Sequence, residues 1–444
     1  MNDIDGSTFV RAADANGGGK PDFSRIRTID GLDVRGKRVL VRVDFNVPIK
    51  DGIVGDTTRI ERVLPTIKQL LAGSAKVIVL SHLGRPKTGT MTNTALRPIA
   101  DKMAELMPGT KVTFINNCVG DEARRGVDAL QPGEVALLEN LRYNDGEKKN
   151  DPDFAKELAA LGDIYVNDAF STAHRAHASV EAITHLLPSY AGLLMMAEIK
   201  ALDRALEHPA RPVMAIAGGA KVSTKIQVLT NLTERMDQLV LAGGMASTFL
   251  YAQGVEIGKS LCQPDVVPVV KEIMARAKEH ECEIVLPRDF VVAKEFKAGA
   301  EWQVCDAGNI PQDQMILDMG PKSVADLKRR FAEMKTLVWN GPVGAFEIQP
   351  FGNGTFELMQ AAARLVRDGK LVAIAGGGDT VAALNIAGVG EDFSYVSTAG
   401  GAFLEWLEGK TLPGVAALAE SRAEPIGATT ALSNDNGQAK PAPS

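Results

Sequence analysis

Cysteine is scarce in this 444-residue chain: Cys118, Cys262, Cys282 and Cys305, with no C-x-x-C pair among them. That argues against a disulfide framework or a cysteine-built zinc site and fits a reducing compartment, so a cytoplasmic protein is expected. Histidine (six residues) and aromatic residues (5%) are also sparse, and no persuasive Ser/His/Asp or Cys/His constellation emerges. Basic residues are not in excess. The net charge of -6 argues against a general nucleic-acid or anionic-membrane surface, so no nucleic-acid or membrane partner is expected. Long apolar runs are missing too. The most membrane-like stretch, Leu371 to Gly390, contains Asp379 and a glycine triplet and reads as buried strand, loop and helix. Residues 1–24 lack the apolar centre of a secretory signal, and Asp3, Asp5, Asp14 and Asp22 argue against an organelle transit peptide.

What the chain does have is a 45% hydrophobic content arranged as short apolar runs between amphipathic segments. Arg38 to Phe45, Lys76 to Ser81, Lys111 to Ile115, Glu134 to Leu138 and Asp163 to Val166 read as strands. Arg211 to Ala217, Gln238 to Ala242, Glu283 to Leu286, Leu337 to Trp339 and Lys370 to Ala375 repeat the style. Strands without clean alternation, separated by helices, indicate parallel sheets covered on both faces. The expected fold is therefore α/β: two doubly wound, Rossmann-like parallel-sheet lobes joined by a connector helix, Ala197 to Glu207. The expected division is a tail at 1–24, a first lobe at 25–194, the connector at 195–209, a second lobe at 210–405, a returning segment at 406–419 and a tail at 420–444. In such sheets ligands bind beyond the carboxyl ends of the strands.

The loops there are rich in cations in the first half. A strand runs into Arg42-Val43-Asp44-Phe45-Asn46-Val47-Pro48, where Asp44 is the natural partner of a charged Arg42. Ser81-His82-Leu83-Gly84-Arg85-Pro86, Glu139-Asn140-Leu141-Arg142-Tyr143 and the segment from Asn167 to Arg175 follow three more strands, and Arg59 opens a helix. Guanidinium groups bind phosphate and carboxylate bidentately, so this set in an acidic protein predicts a small, highly anionic ligand.

The second half offers glycine loops. Ala217-Gly218-Gly219-Ala220-Lys221-Val222-Ser223-Thr224-Lys225 lies between strand and helix, where helix amides and two lysines can meet phosphate; a tight turn with exposed lysines is the plainer reading. In Gly376-Gly377-Gly378-Asp379-Thr380, Asp379 could cap a helix or hold Mg²⁺. Neither loop is a P-loop or a G-x-G-x-x-G fingerprint.

Taken together and in order, Arg42 to Pro48, Ser81 to Pro86, Glu139 to Arg142, Asn167 to Phe170, Gly218 to Lys225, Trp339 to Glu347 and Gly376 to Thr380 resemble the phosphoglycerate kinase family over about Ile29 to Leu418. The resemblance implies reversible phosphoryl transfer between 1,3-bisphosphoglycerate and ADP, with 3-phosphoglycerate and ATP as products, Mg²⁺ as cofactor, closure of the lobes, and a monomer. It implies substrate binding by Asp44, Phe45, Asn46, Arg59, His82, Leu83, Gly84, Arg85, Arg142 and Arg175. Arg59, Lys221, Gly377 and Gly400 would act on the migrating group. Lys225, Gly218, Gly243, Gly377, Gly378, Asp379 and Thr380 would hold the nucleotide, Glu347 its ribose, and Asp379 the metal. Two departures stand out: Ile316 where the family has glycine before Leu317-Asp318, and Ala399 in Thr398-Ala399-Gly400-Gly401. A non-catalytic two-lobed nucleotide- and metabolite-binding module, and a kinase for another carboxylic acid, are the competing readings.

Overall fold

The computed structural model describes residues 22–86 and 94–421. The first lobe is built from β1 (Arg38–Arg42), α1 (Thr58–Ala72), β2 (Lys76–Leu80), α2 (Arg97–Leu106), β3 (Val112–Ile115), α3 (Gly120–Asp128), β4 (Val135–Leu138), α4 (Pro152–Ala159), β5 (Ile164–Asn167) and β6 (Ser189–Ala191). Its six strands form one parallel sheet in the order β3-β4-β2-β1-β5-β6. Successive side chains of a strand point to opposite faces. Accordingly Val39 and Val41 enter one core with Val77 and Val79, while Leu40 enters another with Ile78 and Leu80. Burial on both faces is why these strands read as unbroken apolar runs.

A helix, α5 (Leu193–Leu202), extended by a π-helical turn over Asp203–Glu207, leads into the second lobe. It begins four residues before the expected start at Ala197. Its Met195, Ile199 and Leu202 share a core with Phe170 of the first lobe and with Val213, Ala215 and Trp406 of the second.

The second lobe follows as β7 (Val213–Ala217), α6 (Ile226–Thr233), β8 (Gln238–Leu241), α7 (Gly244–Ala252), α8 (Val267–Glu279), β9 (Glu283–Val285), β10 (Asp289–Ala293), β11 (Trp302–Asp306), β12 (Met315–Met319), α9 (Pro321–Glu333), β13 (Thr336–Asn340), α10 (Asn353–Arg367), β14 (Val372–Gly376), α11 (Gly378–Ala387), β15 (Tyr395–Ser397), α12 (Gly400–Leu407) and α13 (Pro413–Glu420). A second parallel sheet runs β9-β8-β7-β13-β14-β15, so the expectation of two parallel-sheet lobes is borne out. The antiparallel sheet β11-β10-β12, inserted between β9 and α9, was not expected.

Two further differences concern the chain ends and the first strand. Phe23, inside the segment expected to be tail, stacks 5.1 Å from Trp406; the rest of that segment up to residue 21, and residues 422–444, lie outside the described residues. β1 stops at Arg42 rather than Phe45, although Val43 N still donates to Leu80 O at 2.9 Å. After α12 the chain turns back: Gly414 N donates to Ala173 O at 2.9 Å, and Ser421 Oγ lies 3.2 Å from Arg27 Nη2.

Candidate active site

Each sheet reverses its strand order once, between β1 and β5 in the first lobe and between β7 and β13 in the second. Ligand crevices form at such points. At the first, Asp44 from the end of β1 meets Ser171 and Arg59. Arg59 Nη1 donates to Asp44 Oδ2 at 2.6 Å, Ser171 Oγ donates to the same oxygen, and Asn46 N donates to Oδ1 at 2.9 Å. Burial alone would raise the Asp44 pKa. His82, Arg59, Ser171 and the Asn46 amide outweigh it and hold the carboxyl below its usual value.

Arg42 is fully buried, and its partner is not the expected Asp44. Its Nε donates to Ser179 Oγ at 2.8 Å, Nη1 to the Val43 carbonyl, and Nη2 faces His82 Nδ1 at 3.1 Å. Behind it Ser179 Oγ donates to the buried Glu147 at 2.7 Å. An unmatched charge at that depth would cost on the order of several kcal/mol, and Glu147 supplies the counter-charge through Ser179. Guanidinium has no acceptor, so His82 Nδ1 must carry the lone pair and Nε2 the proton. Nε2 lies 3.8 Å from Asp44 Oδ1. Burial and the neighbouring Arg42 keep the imidazole neutral, well below its ordinary pKa.

Further cations gather in front. Arg142 Nη1 donates to Gly84 O at 2.6 Å, while its buried Nε has no hydrogen-bond partner among the described residues. Burial, then Arg42 and Arg175, pull its pKa down to about 10, the signature of a guanidinium crowded by like charge. Arg85 is exposed, and Arg175 Nε donates to His174 Nε2 at 3.1 Å. Together with Asp44, Asn46, Arg59, His82 and Gly84 these residues line a cleft of about 340 Å³, whose far wall is Thr398 to Gly401 of the second lobe.

At the second reversal the loops interlock. A Cβ on Gly218 would stand 1.9 Å from Pro342 O, so only glycine allows the loops after β7 and β13 to touch. Lys225 Nζ donates to Gly218 O at 2.8 Å and to Asn340 Oδ1 at 2.6 Å. Asn340 Nδ2 donates to Gly376 O at 2.8 Å, and Gly341 N to Thr380 Oγ1 at 2.7 Å. Gly377 has φ +100°, which suits glycine, and exposes the first amides of α11. Burial lowers the Lys225 pKa to about 8, against the pull of Asp379. A partly desolvated lysine among glycine amides and a helix N-terminus suits a polyphosphate.

A family model described as phosphoglycerate kinase matches residues 29–410. The chain belongs to the phosphoglycerate kinase family. It is a phosphotransferase of that family, and the non-catalytic reading is set aside. The phosphoglycerate kinases of Methylorubrum extorquens (strain PA1) and Chelativorans sp. (strain BNC1) are each 58% identical over 393 residues, covering 88% of this chain and 98% of the relative. Among solved structures, phosphoglycerate kinase from Coxiella burnetii aligns with a TM-score of 0.83 at 41% identity, covering 90% of this chain and all of the other. That from Pyrococcus horikoshii OT3 aligns at 0.74 and 32%, covering 88% and 98%.

Set against the family resemblance, most expected residues fall into the two loop systems, and they differ in how exposed their side chains are. Phe45 and Leu83 are core side chains, and the Phe45 amide is taken by Ser81 Oγ at 2.9 Å. The Thr380 side chain is buried with its hydroxyl committed to Gly341 N. Asp379 is not the cap of α11; that position is Gly377, and Asp379 lies exposed in the first turn. Lys221 and Glu347 are exposed on the loops after β7 and β13, and Gly243 adjoins Gly219 on the loop after β8. Gly400 opens α12. Ala399 has φ -95°, an ordinary value, so replacing the family's glycine costs no backbone strain there. Ile316 lies in β12, half-buried against Phe290 and Val292. Sequence reasoning missed Ser171 as a partner of Asp44 and Asn340 as the anchor of Lys225; each lay inside a quoted segment.

No group of three or more His, Cys, Asp or Glu that could hold a metal ion occurs among the described residues. A single exposed carboxylate, Asp379, beside a phosphate-suited loop fits Mg²⁺ carried in by a nucleotide better than a resident metal cage. No helix among the described residues is long and apolar enough to cross a membrane.

Proposed function

We propose that this phosphotransferase moves a phosphoryl group reversibly between 1,3-bisphosphoglycerate and ADP, giving 3-phosphoglycerate and ATP. The observation that carries the reading is the cationic cleft of the first lobe, closed on one side by the start of α12 from the second. Arg142, Arg175, Arg85 and His82 take the carboxylate and phosphate of the acid, and Asp44 and Asn46 its hydroxyl. Lys225 and the amides of Gly377 and Gly378 take the nucleotide phosphates beside Gly218, whose own amide donates to Asn340 O at 2.9 Å; the region of Gly243 takes the base and Glu347 the ribose. Asp379 would hold Mg²⁺, which would neutralise phosphate charge.

In the ATP-consuming direction the nucleophile is a carboxylate, already ionised at neutral pH, so no general base is needed. That agrees with a neutral His82. Rate then rests on positioning and charge neutralisation by Arg59, Lys221 and the amides near Gly377 and Gly400. Acid on one lobe and nucleotide on the other call for lobe closure about α5; compaction in small-angle scattering when both ligands bind is expected. Both walls of the cleft come from one chain, which supports a monomer, and four free cysteines support a cytoplasmic setting.

The test is direct. The protein receives 3-phosphoglycerate and MgATP, with product coupled to NADH oxidation through glyceraldehyde-3-phosphate dehydrogenase. Turnover supports the reading; ATP turnover only with another acid overturns it.

A further inference from the structure

α1 carries two arginines one turn apart, Arg59 and Arg62, and the reaction above uses only the first. Arg62 reaches across to the other lobe. Its Nη1 donates to Thr398 Oγ1 at 3.0 Å and its Nη2 to the Val396 carbonyl at 3.1 Å. Its guanidinium carbon lies 5.9 Å from the centre of the Tyr395 ring. These three residues belong to β15 and the turn after it, the segment that brings Gly400 and Gly401 to the cleft. Glu198 of α5 lies nearby, buried among Arg62, Tyr395, Ser397 and the Thr398 amide. A narrow void of about 20 Å³ separates Asp44, Arg59 and Arg62 from Glu198, Thr398 and Ala399.

An arginine that only filled surface would not put both terminal nitrogens on one turn of the other lobe, more than 330 residues away in sequence. Charge-assisted bonds to two acceptors fix both distance and angle. The tethered turn leads into the N-terminus of a helix, where free amides favour developing negative charge. The tether's other end is the helix that carries Arg59.

We propose that Arg62 is a positioning residue: it holds the turn from Thr398 to Gly401 at a fixed offset from Arg59. The Arg59 guanidinium and the first amides of α12 then face the migrating phosphoryl group together. Arg62 itself touches no substrate, because its terminal nitrogens are committed to Thr398 and Val396. This rests on the reaction proposed above and adds a residue that the resemblance did not name.

The test uses the full-length protein with Arg62→Gln, Arg62→Lys, Thr398→Val and the Arg62→Gln/Thr398→Val double variant. kcat and KM come from the coupled assay, and Kd for 3-phosphoglycerate alone and MgADP alone from calorimetry. Arg62→Gln is expected to lower kcat about tenfold, equivalent to about 1.4 kcal/mol in the barrier, with both single-ligand Kd values within about twofold of the parent. Arg62→Lys, which can reach one acceptor, should recover part of the loss. The double variant should lose less than the product of the singles, since both remove one contact. An Arg62→Gln kcat within twofold of the parent overturns the inference. So does a rise in the 3-phosphoglycerate Kd that matches the fall in kcat, which would make Arg62 part of the anion site. If Arg62→Gln does not fold, Arg62→Lys and Thr398→Val carry the same comparison. An inactive parent protein would sink the proposed reaction instead, so the two failures are distinguishable.

Discussion

Arg42 Nη2 stands 3.1 Å from His82 Nδ1, and that contact fixes which imidazole nitrogen can face the cleft with a proton. A guanidinium only donates, so His82 presents Nε2–H toward Asp44 and the ligand. Arg42, Asp44, Arg142 and His177 all bear on this ring, and burial with the nearby cations outweighs Asp44. Its pKa is depressed, so the folded protein keeps His82 neutral as pH falls through the ordinary histidine range. In ¹⁵N spectra of labelled protein, the His82 Nε2 should show a pyrrole-type and the Nδ1 a pyridine-type shift. Neither should move between pH 8 and 6. A titrating imidazolium in that interval would count against the geometry. Arg42→Met should move the His82 pKa upward, because the neighbouring guanidinium is gone while the burial remains.

Arg59 is the sharpest test of the division of labour. Its ion pair with Asp44 is partly open to solvent, and Asp44 keeps Ser171, the Asn46 amide and His82 when the guanidinium is removed. Arg59→Ala should therefore change unfolding free energy by no more than about 1 kcal/mol. Turnover should fall by about 10³ or more, the scale on which a transition-state arginine acts in phosphoryl transfer. Denaturant unfolding and the coupled assay on the same preparation check both halves. A variant with parental kcat would remove Arg59 from the chemistry.

Both parallel sheets were legible because their strands are buried on two faces, which leaves continuous Val, Ile and Leu runs. What escaped reading lacks that pattern. α7 is apolar almost all round, with Met245, Ala246, Phe249 and Leu250 buried, so it shows no helical stripe. β11 is largely exposed and mixes Trp302 with Gln303 and Asp306, so burial did not shape its sequence. In the site, the cations were legible by type and by position after strands. Their partners were not. Arg42 sits two residues from Asp44 in sequence yet bonds to Ser179 and His82, because β1 ends there and its neighbours β2 and β5 bring in loops from far along the chain. Arg62 gave no cue except its spacing of three from Arg59.

Lys225 and Lys221 should separate by pH and by kinetics. Burial lowers Lys225 to about 8, whereas Lys221 is exposed. Nucleotide phosphates favour protonated Lys225, so binding raises its pKa and takes up a proton near pH 8. The sign follows: MgADP affinity is full below about pH 8 and weakens as pH rises above it. Calorimetry at pH 8 in buffers of different ionisation enthalpy should detect the uptake, and Lys225→Met should abolish it along with much of the affinity. Lys221→Ala should lower kcat more than it weakens MgADP. A loss confined to affinity would reassign Lys221 to binding.

Glu198 offers a stability prediction with a definite sign. Burial pushes its carboxyl from 4.5 up to about 7, despite Ser397, Tyr395, Arg62 and the Thr398 amide, and its Oε2 has no hydrogen-bond partner among the described residues. The unfolded chain ionises this group near 4.5 and the folded protein near 7. Between those values the folded state binds the extra proton, so the group costs nothing at low pH. Its ionisation penalty grows through that window and is complete above about 7, with a ceiling of about 3 kcal/mol. Glu198→Gln removes the penalty while keeping the shape. Asp168 and Asp318, raised by burial to about 6 and about 7, carry the same sign, so the pH dependence of the parent alone cannot isolate Glu198. The difference between parent and variant can. Glu198→Gln should raise the unfolding midpoint by a few degrees at pH 8 and by less than half as much at pH 5.5, measured by scanning calorimetry at matched ionic strength. An equal gain at both pH values would mean that the substituted amide stabilises by packing rather than by removing a buried charge, and a loss at pH 8 would mean that the carboxylate is paired better than its surroundings allow.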